Sequence, residues 1–289
     1  MSKIVLSTFA KLNLTLTVFS TDPLTGLHPI SSVFQTVSLS DHLLIETQAS
    51  QGFDLQTNHP DLQESTENLL YKIYRDFKTD IPFGLRIRLD KRIPLGGGLG
   101  GGSGNAAGFL AYLNEVCGWG LSLSGLIDVG MRYGSDVPFF FLGGTALVEG
   151  VGERLSVKEP AYNGCFVLAN PGIHVGTPCV FRAFDKLGLG RSADFAASSD
   201  LKGGALGEND LAPVVFRDYP VYTQLASVLV PLGFPFHLSG SGATVFVPVL
   251  DVGAGSALVA QLTPQLPGWW FSVVESVPGP GYRLSSDLP

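Results

Sequence analysis

The chain has 289 residues, of which 45% are hydrophobic and 15% charged, with a formal net charge of −7. This length is enough for a sizeable core and two domains, and the acidic balance argues against a general nucleic-acid binder. No apolar run approaches the roughly 18 residues of a membrane helix, and the first residues lack the features of a signal peptide. We therefore expect a cytoplasmic protein with neither a membrane nor a nucleic-acid partner.

Alternating apolar and polar residues predict three strand regions in the first part of the chain, at 4–18, 31–48 and 83–94. The first is a strand or hairpin that carries Lys11 and Asn13 on its polar face. The second is expected to divide into two short strands near Ser40 and Asp41, because both residue types favour turns.

Apolar residues at helical spacing predict three helices in the same half of the chain, at 65–77, 105–116 and 124–133. Ser65 or Thr66 is the expected cap of the first. The segment 136–150 is expected to be a loop that leads into a strand.

A boundary near residues 155–162 predicts two domains, 1–157 and 158–289. Thr177 is expected to cap a helix that has Pro178 in its first turn. Residues 191–208 are predicted to form a polar linker. The remaining elements are predicted near 209–217, 219–230 and 253–263 for helices, and near 235–249 and 269–276 for strands.

The three cysteines, Cys117, Cys165 and Cys179, are widely spaced and form no metal or disulfide pattern. We expect all three to be small buried residues.

A glycine-rich segment stands between a predicted strand and a predicted helix. Between Gly96 and Gly104 only Leu99 and Ser103 are not glycine. A strand, a glycine loop and a helix N-terminus direct several N–H groups at one point, which suits a phosphate chain. A flexible linker is the alternative, but such linkers do not usually join two well-patterned elements. The segment lacks the Gly-Lys-Ser/Thr of a Walker A loop, and no acidic residue follows at dinucleotide-fold spacing.

The sequence "PLGGGLGGGSGNAA" (94–107) resembles the ATP-binding loop of the GHMP kinases. "AKLNLTL" (10–16) and "LSGSGATVF" (238–246) are similar to the N-terminal strand and the C-terminal glycine turn of that family. The resemblance extends over nearly the whole chain. It implies a two-domain α+β fold: an N-terminal mixed sheet with a left-handed βαβ crossover, and a C-terminal ferredoxin-like domain. ATP and substrate would meet between the two.

The resemblance implies catalytic roles for two residues. Asp136 would take the proton from the attacking hydroxyl, and Lys11 would stand beside it and stabilise negative charge. Considered without the family, Asp136 is a turn or cap aspartate and Lys11 a solvated strand lysine. The ATP-binding positions implied are Asn68, Pro94, Gly96, Gly97, Gly98, Leu99, Gly100, Gly101, Gly102 and Ser103.

Further segments, among them "GLHPISSVFQ" (26–35) and "ENDLAPVV" (208–215), resemble family members that phosphorylate a hydroxyl of a cytidine diphosphate sugar alcohol. The substrate-binding positions implied are Asn13, His28, Thr177, Phe181, Ser241 and Gly242. Direct in-line transfer from Mg²⁺-ATP is expected, with Ser103 as a candidate neighbour of the metal and the enzyme a monomer or weak homodimer.

Two alternatives stay open. The chain could be another kinase of the family, acting on homoserine or a mevalonate derivative, or a non-catalytic metabolite sensor. The chain departs from the family pattern at Leu27, where an aromatic residue is common, and at Gly104, where a second serine is common.

Overall fold

The computed structural model of the chain describes residues 3–62, 66–158, 163–191 and 206–285. The strands, in chain order, are β1 (Lys3–Asn13), β2 (Thr17–Val18), β3 (Ile30–Gln48), β4 (Phe53–Thr57), β5 (Gly84–Asp90), β6 (Thr145–Gly150), β7 (Arg154–Val157), β8 (Cys165–Asn170), β9 (His237–Leu238), β10 (Val245–Val249), β11 (Trp270–Glu275) and β12 (Tyr282–Ser285). The helices are α1 (Leu69–Asp76), α2 (Gly101–Val116), α3 (Leu123–Gly130), α4 (Val137–Leu142), α5 (Thr177–Lys186), α6 (Ala212–Asp218), α7 (Tyr222–Leu229) and α8 (Val252–Leu262).

The first sheet has the order β12-β1-β3-β5-β4, and β6 pairs with the first part of β3. The predicted division of residues 31–48 into two strands is wrong: β3 is one 19-residue strand, with a register shift opposite Phe9 and Ala10. Asp41 does not close a local turn because its carboxylate accepts backbone N–H groups from Arg92 and Ile93 instead.

A parallel βαβ unit forms one end of this sheet: β4 leads through α1 into β5, beside which it lies in parallel. The left-handed crossover that the family resemblance implies for the N-terminal sheet stays a prediction. The helix begins later than the sequence suggests, since Asn68 is the cap and its side chain accepts the N–H of Leu70. Of the two predicted caps, Ser65 lies outside the described residues and Thr66 lies outside the helix.

The helix after the glycine segment begins within the glycines, at Gly101, and not at Asn105 as predicted. Glycine has low helix propensity, which hides this first turn in the sequence. The helix packs closely on β1: a Cβ at Gly104 would lie 2.9 Å from the carbonyl oxygen of Phe9, and one at Gly108 would lie 2.8 Å from Cγ2 of Thr8. Because these two glycines have no Cβ, the backbone of α2 can lie directly against β1.

The segment 136–150 contains a short helix, α4, before β6, so the prediction of a loop throughout is wrong. Pro138 stands in the first turn of this helix, where its missing N–H costs no hydrogen bond. Phe139 and Phe140 are fully buried in the core under the first sheet. Burial of these aromatic side chains stabilises α4, which the modest helix propensities of its residues do not predict.

The second sheet is antiparallel, with the order β11-β8-β10-β9. Two βαβ passages, from β8 through α5 to α7 into β9 and from β10 through α8 into β11, give this order, which is ferredoxin-like as predicted. Helix α5 begins at Thr177, so Gly176 is its cap and the prediction of Thr177 as cap is wrong. Most of the predicted linker, residues 192–205, lies outside the described residues.

The strand β12, which the sequence did not predict, returns to the first sheet and pairs with β1 from Val5 to Thr8. The proposed division into 1–157 and 158–289 stays a prediction, and residues 159–162 at its boundary lie outside the described part of the chain. The residues of β12 nevertheless belong to the sheet of the N-terminal half.

The cysteines differ in burial. Cys165 is buried and Cys117 half-buried, and burial raises the pKa of both thiols. Cys179 is exposed, so the expectation of burial is wrong there. It lies in the first turn of α5, which faces solvent on this side. All three are free thiols.

Candidate active site

A cavity of about 510 Å³ lies between the two sheets and collects most of the residues predicted to bind substrate. Its polar lining comes from both halves of the chain, which is why no single segment of the sequence reveals it. The predicted residues in its wall are Lys11, Asn13, His28, Gly98, Asp136, Thr177, Phe181 and Ser241.

Lys11 and Asp136 meet at the floor of this cavity. The Nζ atom of Lys11 lies 3.3 Å from Oδ2 of Asp136 and donates a hydrogen bond of 2.6 Å to Oδ1 of Asn13. The lysine side chain is only 4% exposed, whereas the aspartate side chain is 34% exposed. The carboxylate therefore faces the cavity while the buried ammonium stands behind it.

Two further groups hold the lysine in place. Its ammonium lies 4.6 Å from the ring centroid of Phe34, a cation–π contact that the sequence did not predict. Asn13 is fixed in turn, because its side-chain amide donates to the hydroxyl of Ser32 at 2.9 Å. Lys11 thus has one orientation, with its charge directed at Asp136.

The glycine loop presents N–H groups and turns its carbonyl groups away. The first hydrogen bond of α2 runs from Gly104 to the carbonyl of Gly100, so the N–H groups of Gly101, Gly102 and Ser103 precede it. The carbonyls of Gly97 and Leu99 accept from the backbone of Thr244 and Lys11. A Cβ at Gly102 would meet nothing within 4 Å. These features fit a polyphosphate at the N-terminus of α2.

The loop also packs on the glycine turn of the second sheet, between β9 and β10. Gly98 has φ +72°, and a Cβ there would lie 2.2 Å from the carbonyl oxygen of Ser239. The hydroxyl of Ser239 donates to the carbonyl of Gly98 at 3.1 Å. Part of the glycine content therefore serves contact between the two halves of the protein and not the anion alone.

At the other end of the cavity, His28 packs against Phe181 with ring centroids 5.0 Å apart. Its Nδ1 donates to the carbonyl oxygen of Phe19 at 2.8 Å. Its Nε2 lies 3.1 Å from the hydroxyl of Thr21 and 3.2 Å from a carboxylate oxygen of Asp185. Both ring nitrogens already have protein partners, so a ligand that bonds to Nε2 must replace Thr21 or Asp185.

Helix α5 and the glycine turn between β9 and β10 supply hydroxyl groups to the same cavity. Thr177 and Ser241 are joined by a hydrogen bond of 2.7 Å, which sets the first turn of α5 against the glycine turn. Asn209 donates to the carbonyls of Leu238 and Gly240 and so fixes the base of that turn. Gly242 lies next to these residues but outside the cavity wall.

Asn68 and Pro94 do not line this cavity. Asn68 is the cap of α1, and Pro94 precedes the glycine loop, so the structure leaves their predicted contact with ATP untested. Sequence reasoning missed Phe34, Ser239 and a buried group formed by Asp41 and Lys91. Asp41 was signalled in the sequence only as a polar residue within an apolar strand, and Ser239 and Lys91 only as polar residues beside a glycine segment; nothing in the sequence signalled Phe34.

A larger cavity, of about 760 Å³, lies on the first sheet. Its lining includes Val5, His42, Arg88 and Arg92, and none of the predicted site residues. Among the described residues, no group of three or more His, Cys, Asp or Glu side chains could hold a metal ion. Within the same ranges, no helix is long and apolar enough to cross a membrane.

Comparison with known proteins gives consistent matches. The family model for the GHMP kinases N terminal domain matches residues 68–144. The chain is 38% identical over 264 residues to a 4-diphosphocytidyl-2-C-methyl-D-erythritol kinase of Pelotomaculum thermopropionicum, covering 87% of this chain and 91% of that protein. It is 33% identical to the enzyme of the same name from Geobacter sp. (strain M21), covering 96% of this chain and 100% of that protein.

Solved structures agree. A 4-(cytidine 5'-diphospho)-2C-methyl-D-erythritol kinase superposes with a TM-score of 0.74 at 30% identity, covering 93% of this chain and 98% of that one. A homoserine kinase from Cytophaga hutchinsonii superposes with a TM-score of 0.68 at 16% identity, covering 99% and 98%. The second likeness concerns the fold alone.

Proposed function

The chain belongs to the GHMP kinase family and, within it, to the 4-diphosphocytidyl-2-C-methyl-D-erythritol kinases, and from this membership we propose how its cavity transfers a phosphoryl group. The predicted family and its ATP-dependent kinase activity are confirmed. The reaction joins the γ-phosphoryl group of ATP to the C2 hydroxyl of the cytidyl alcohol in isoprenoid synthesis. The enzyme acts in the cytoplasm, as a monomer or weak homodimer.

The contact between Lys11 and Asp136 carries this proposal. Asp136 accepts the proton of the attacking hydroxyl, because its carboxylate is the partly exposed member of the pair. Lys11 is held by Asn13 and Phe34, and its fixed charge stabilises the negative charge that develops on the transferred group. No covalent enzyme intermediate is needed when the two substrates are held in line.

The glycine loop binds the polyphosphate of ATP. The N–H groups at the start of α2, together with the helix dipole, supply partial positive charge without a side chain. Mg²⁺ bound to the phosphates would neutralise charge on the transferred group. The hydroxyl of Ser103, in the first turn of α2, would be a protein ligand of this ion, with phosphate and water oxygens completing its shell.

The apolar end of the cavity binds the cytidine. Phe181 and His28 offer ring faces, and Leu27 and Ile30 offer aliphatic surface. This lining suits a nucleobase better than the small polar side chain of homoserine or the carboxylate of mevalonate. A sensor without activity would not need the ion pair of Lys11 and Asp136.

The test is ADP release with three alcohols: 4-diphosphocytidyl-2-C-methyl-D-erythritol, homoserine and mevalonate. Turnover with the first and background rates with the others is the expected result. Preference for either of the other two would contradict the substrate assignment, and ATP binding without turnover of any of the three would favour the sensor.

A prediction concerns Leu27, which is 51% exposed at the mouth of the cytidine end. Stacking of a base on an aromatic side chain is worth about 1–3 kcal/mol, and leucine keeps only part of it. Leu27→Tyr should therefore lower the KM of the cytidyl substrate by about two- to fivefold, while Phe181→Ala and His28→Ala should each raise it about tenfold or more.

Steady-state kinetics at saturating ATP measure these constants. Leu24→Tyr is the matched control, since Leu24 is 95% exposed on the same loop and lies outside the cavity wall. An unchanged KM in Phe181→Ala would place the cytidine elsewhere. A KM lowered equally in both tyrosine variants would show that the effect is not one of stacking in this cavity.

A further inference from the structure

A buried ion pair lies beneath the glycine loop, outside the cavity described above. The side chains of Asp41 and Lys91 are 0% and 3% exposed, and the Nζ of Lys91 contacts Oδ2 of Asp41. Burial lowers the pKa of Lys91, and the carboxylate of Asp41 opposes that shift. A fully buried ion pair is a weak source of stability, so its presence under a ligand-binding loop calls for another explanation.

The carboxylate accepts four hydrogen bonds, and the donors lie on both sides of the loop. Oδ1 accepts the backbone N–H groups of Arg92 and Ile93 at 2.8 and 2.9 Å. Oδ2 accepts from the side-chain amide of Asn105 at 3.0 Å and from Lys91. Residues 91–93 lead into the loop and Asn105 lies in the first turns of α2, so one carboxylate joins the two ends.

The same group is connected to the strand that carries Lys11. The side-chain amide of Asn105 also contacts the hydroxyl of Thr8 in β1 at 2.6 Å. Its oxygen accepts from Lys91 at 3.2 Å. The ammonium of Lys91 would lie 2.9 Å from a Cβ at Gly101, directly behind the first turn of α2. A displacement of Asp41 would therefore reach the loop and the strand together.

We propose that Asp41 is a positioning residue for ATP. It holds both ends of the glycine loop so that the free N–H groups of α2 converge on the polyphosphate, and Lys91 supplies the charge that lets a carboxylate stand there. A carboxylate suits this position because two oxygens are needed for the four donors. The inference rests on the proposed binding of ATP at this loop.

The test is Asp41→Asn, which keeps the shape of the side chain but leaves one oxygen for the four donors. We expect the KM for ATP to rise about ten- to a hundredfold, because small displacements of binding groups have effects of this size. The KM for the cytidyl alcohol should stay within about twofold, since none of the lost bonds reaches that end of the cavity.

A purely structural role is distinguished by a control of similar stability. Leu258→Ala removes a buried side chain from α8 on the second sheet, far from the loop in the fold, and should lower the melting temperature without changing the KM for ATP. Equal KM values in wild type and Asp41→Asn would overturn the proposal. So would equal increases in Asp41→Asn and Leu258→Ala.

Two additional measurements keep the test decisive. If Asp41→Asn does not fold, Asn105→Ala removes the helix side of the connection and should also raise the KM for ATP, by a smaller factor. An unchanged value would overturn the proposal.

Hydrogen exchange of residues 94–104 in the ligand-free protein should be faster in Asp41→Asn than in Leu258→Ala. Exchange tests the connection even if ATP proves to bind elsewhere, which separates failure of this inference from failure of the proposed function.

Discussion

Replacement of Asp136 by asparagine is expected to lower kcat by about 10²–10⁴-fold in a protein that still folds and binds ATP. The side chain is one-third exposed and makes no capping bond to α4, so the fold should be kept, although loss of the negative charge beside the buried Lys11 should lower the stability. Asparagine keeps the volume of the side chain but cannot take the proton of the hydroxyl. Single-turnover transfer and ATP titration measure the two properties separately.

Lys11→Met provides the second half of this experiment. It should also lower kcat, and the double variant should be hardly slower than the slower single variant, because the ammonium acts through the same reacting group as Asp136. Full additivity of the two losses would show that the residues act independently. Turnover of Asp136→Asn within a few-fold of wild type would contradict the assignment of the base.

Gly102→Val is expected to weaken ATP binding by about a hundredfold or more, since loss of two hydrogen bonds to a charged group costs about 3 kcal/mol or more. A Cβ at Gly102 would meet nothing within 4 Å outside its own helix backbone and chain neighbours, so valine fits there without a clash at Cβ and extends into the space that we propose for the polyphosphate. Valine also has a higher helix propensity than glycine, so α2 should not be weakened. Calorimetric ATP titration and thermal unfolding together check both statements.

Gly98→Val is the contrasting variant. Its backbone has φ +72°, and its Cβ would meet the carbonyl oxygen of Ser239 at 2.2 Å. Both stability and ATP binding should therefore fall, because the loop and the glycine turn of the second sheet must separate. ATP affinity that survives in a folded Gly102→Val protein would leave the glycines with a purely structural role at this loop.

The candidate site residues that the sequence selected lie in short motifs. Lys11 and Asn13 share one strand face, and Asp136 follows a helix end, so local pattern and family resemblance were enough to select them. The pairing of Asp41 with Lys91 joins positions 50 residues apart, and no local pattern encodes such a contact. Phe34 was likewise one apolar residue among several in its strand until the fold placed it under Lys11.

The sequence predicted the elements whose apolar residues follow a regular period. It missed the element boundaries and short elements that depend on tertiary contacts. The start of α2 was hidden by its glycines: Gly101 packs against Ile93 and Lys91, and Gly104 allows the close approach to β1. The helix α4 forms because Phe139 and Phe140 are buried. The continuity of β3 depends on Asp41 having partners in another segment, and β12 is short and exposed, with no alternation to reveal it.

The place of β12 has a consequence for how the protein is made. Residues 282–285 emerge from the ribosome after both sheets are otherwise synthesised, yet they cover the edge of the strand that carries Lys11. Until then that edge offers unpaired N–H and C=O groups to other chains. The first sheet is therefore completed by β12, although most of its strands are translated earlier, and a nascent chain halted before residue 282 would leave the edge of β1 from Val5 to Thr8 open to other chains.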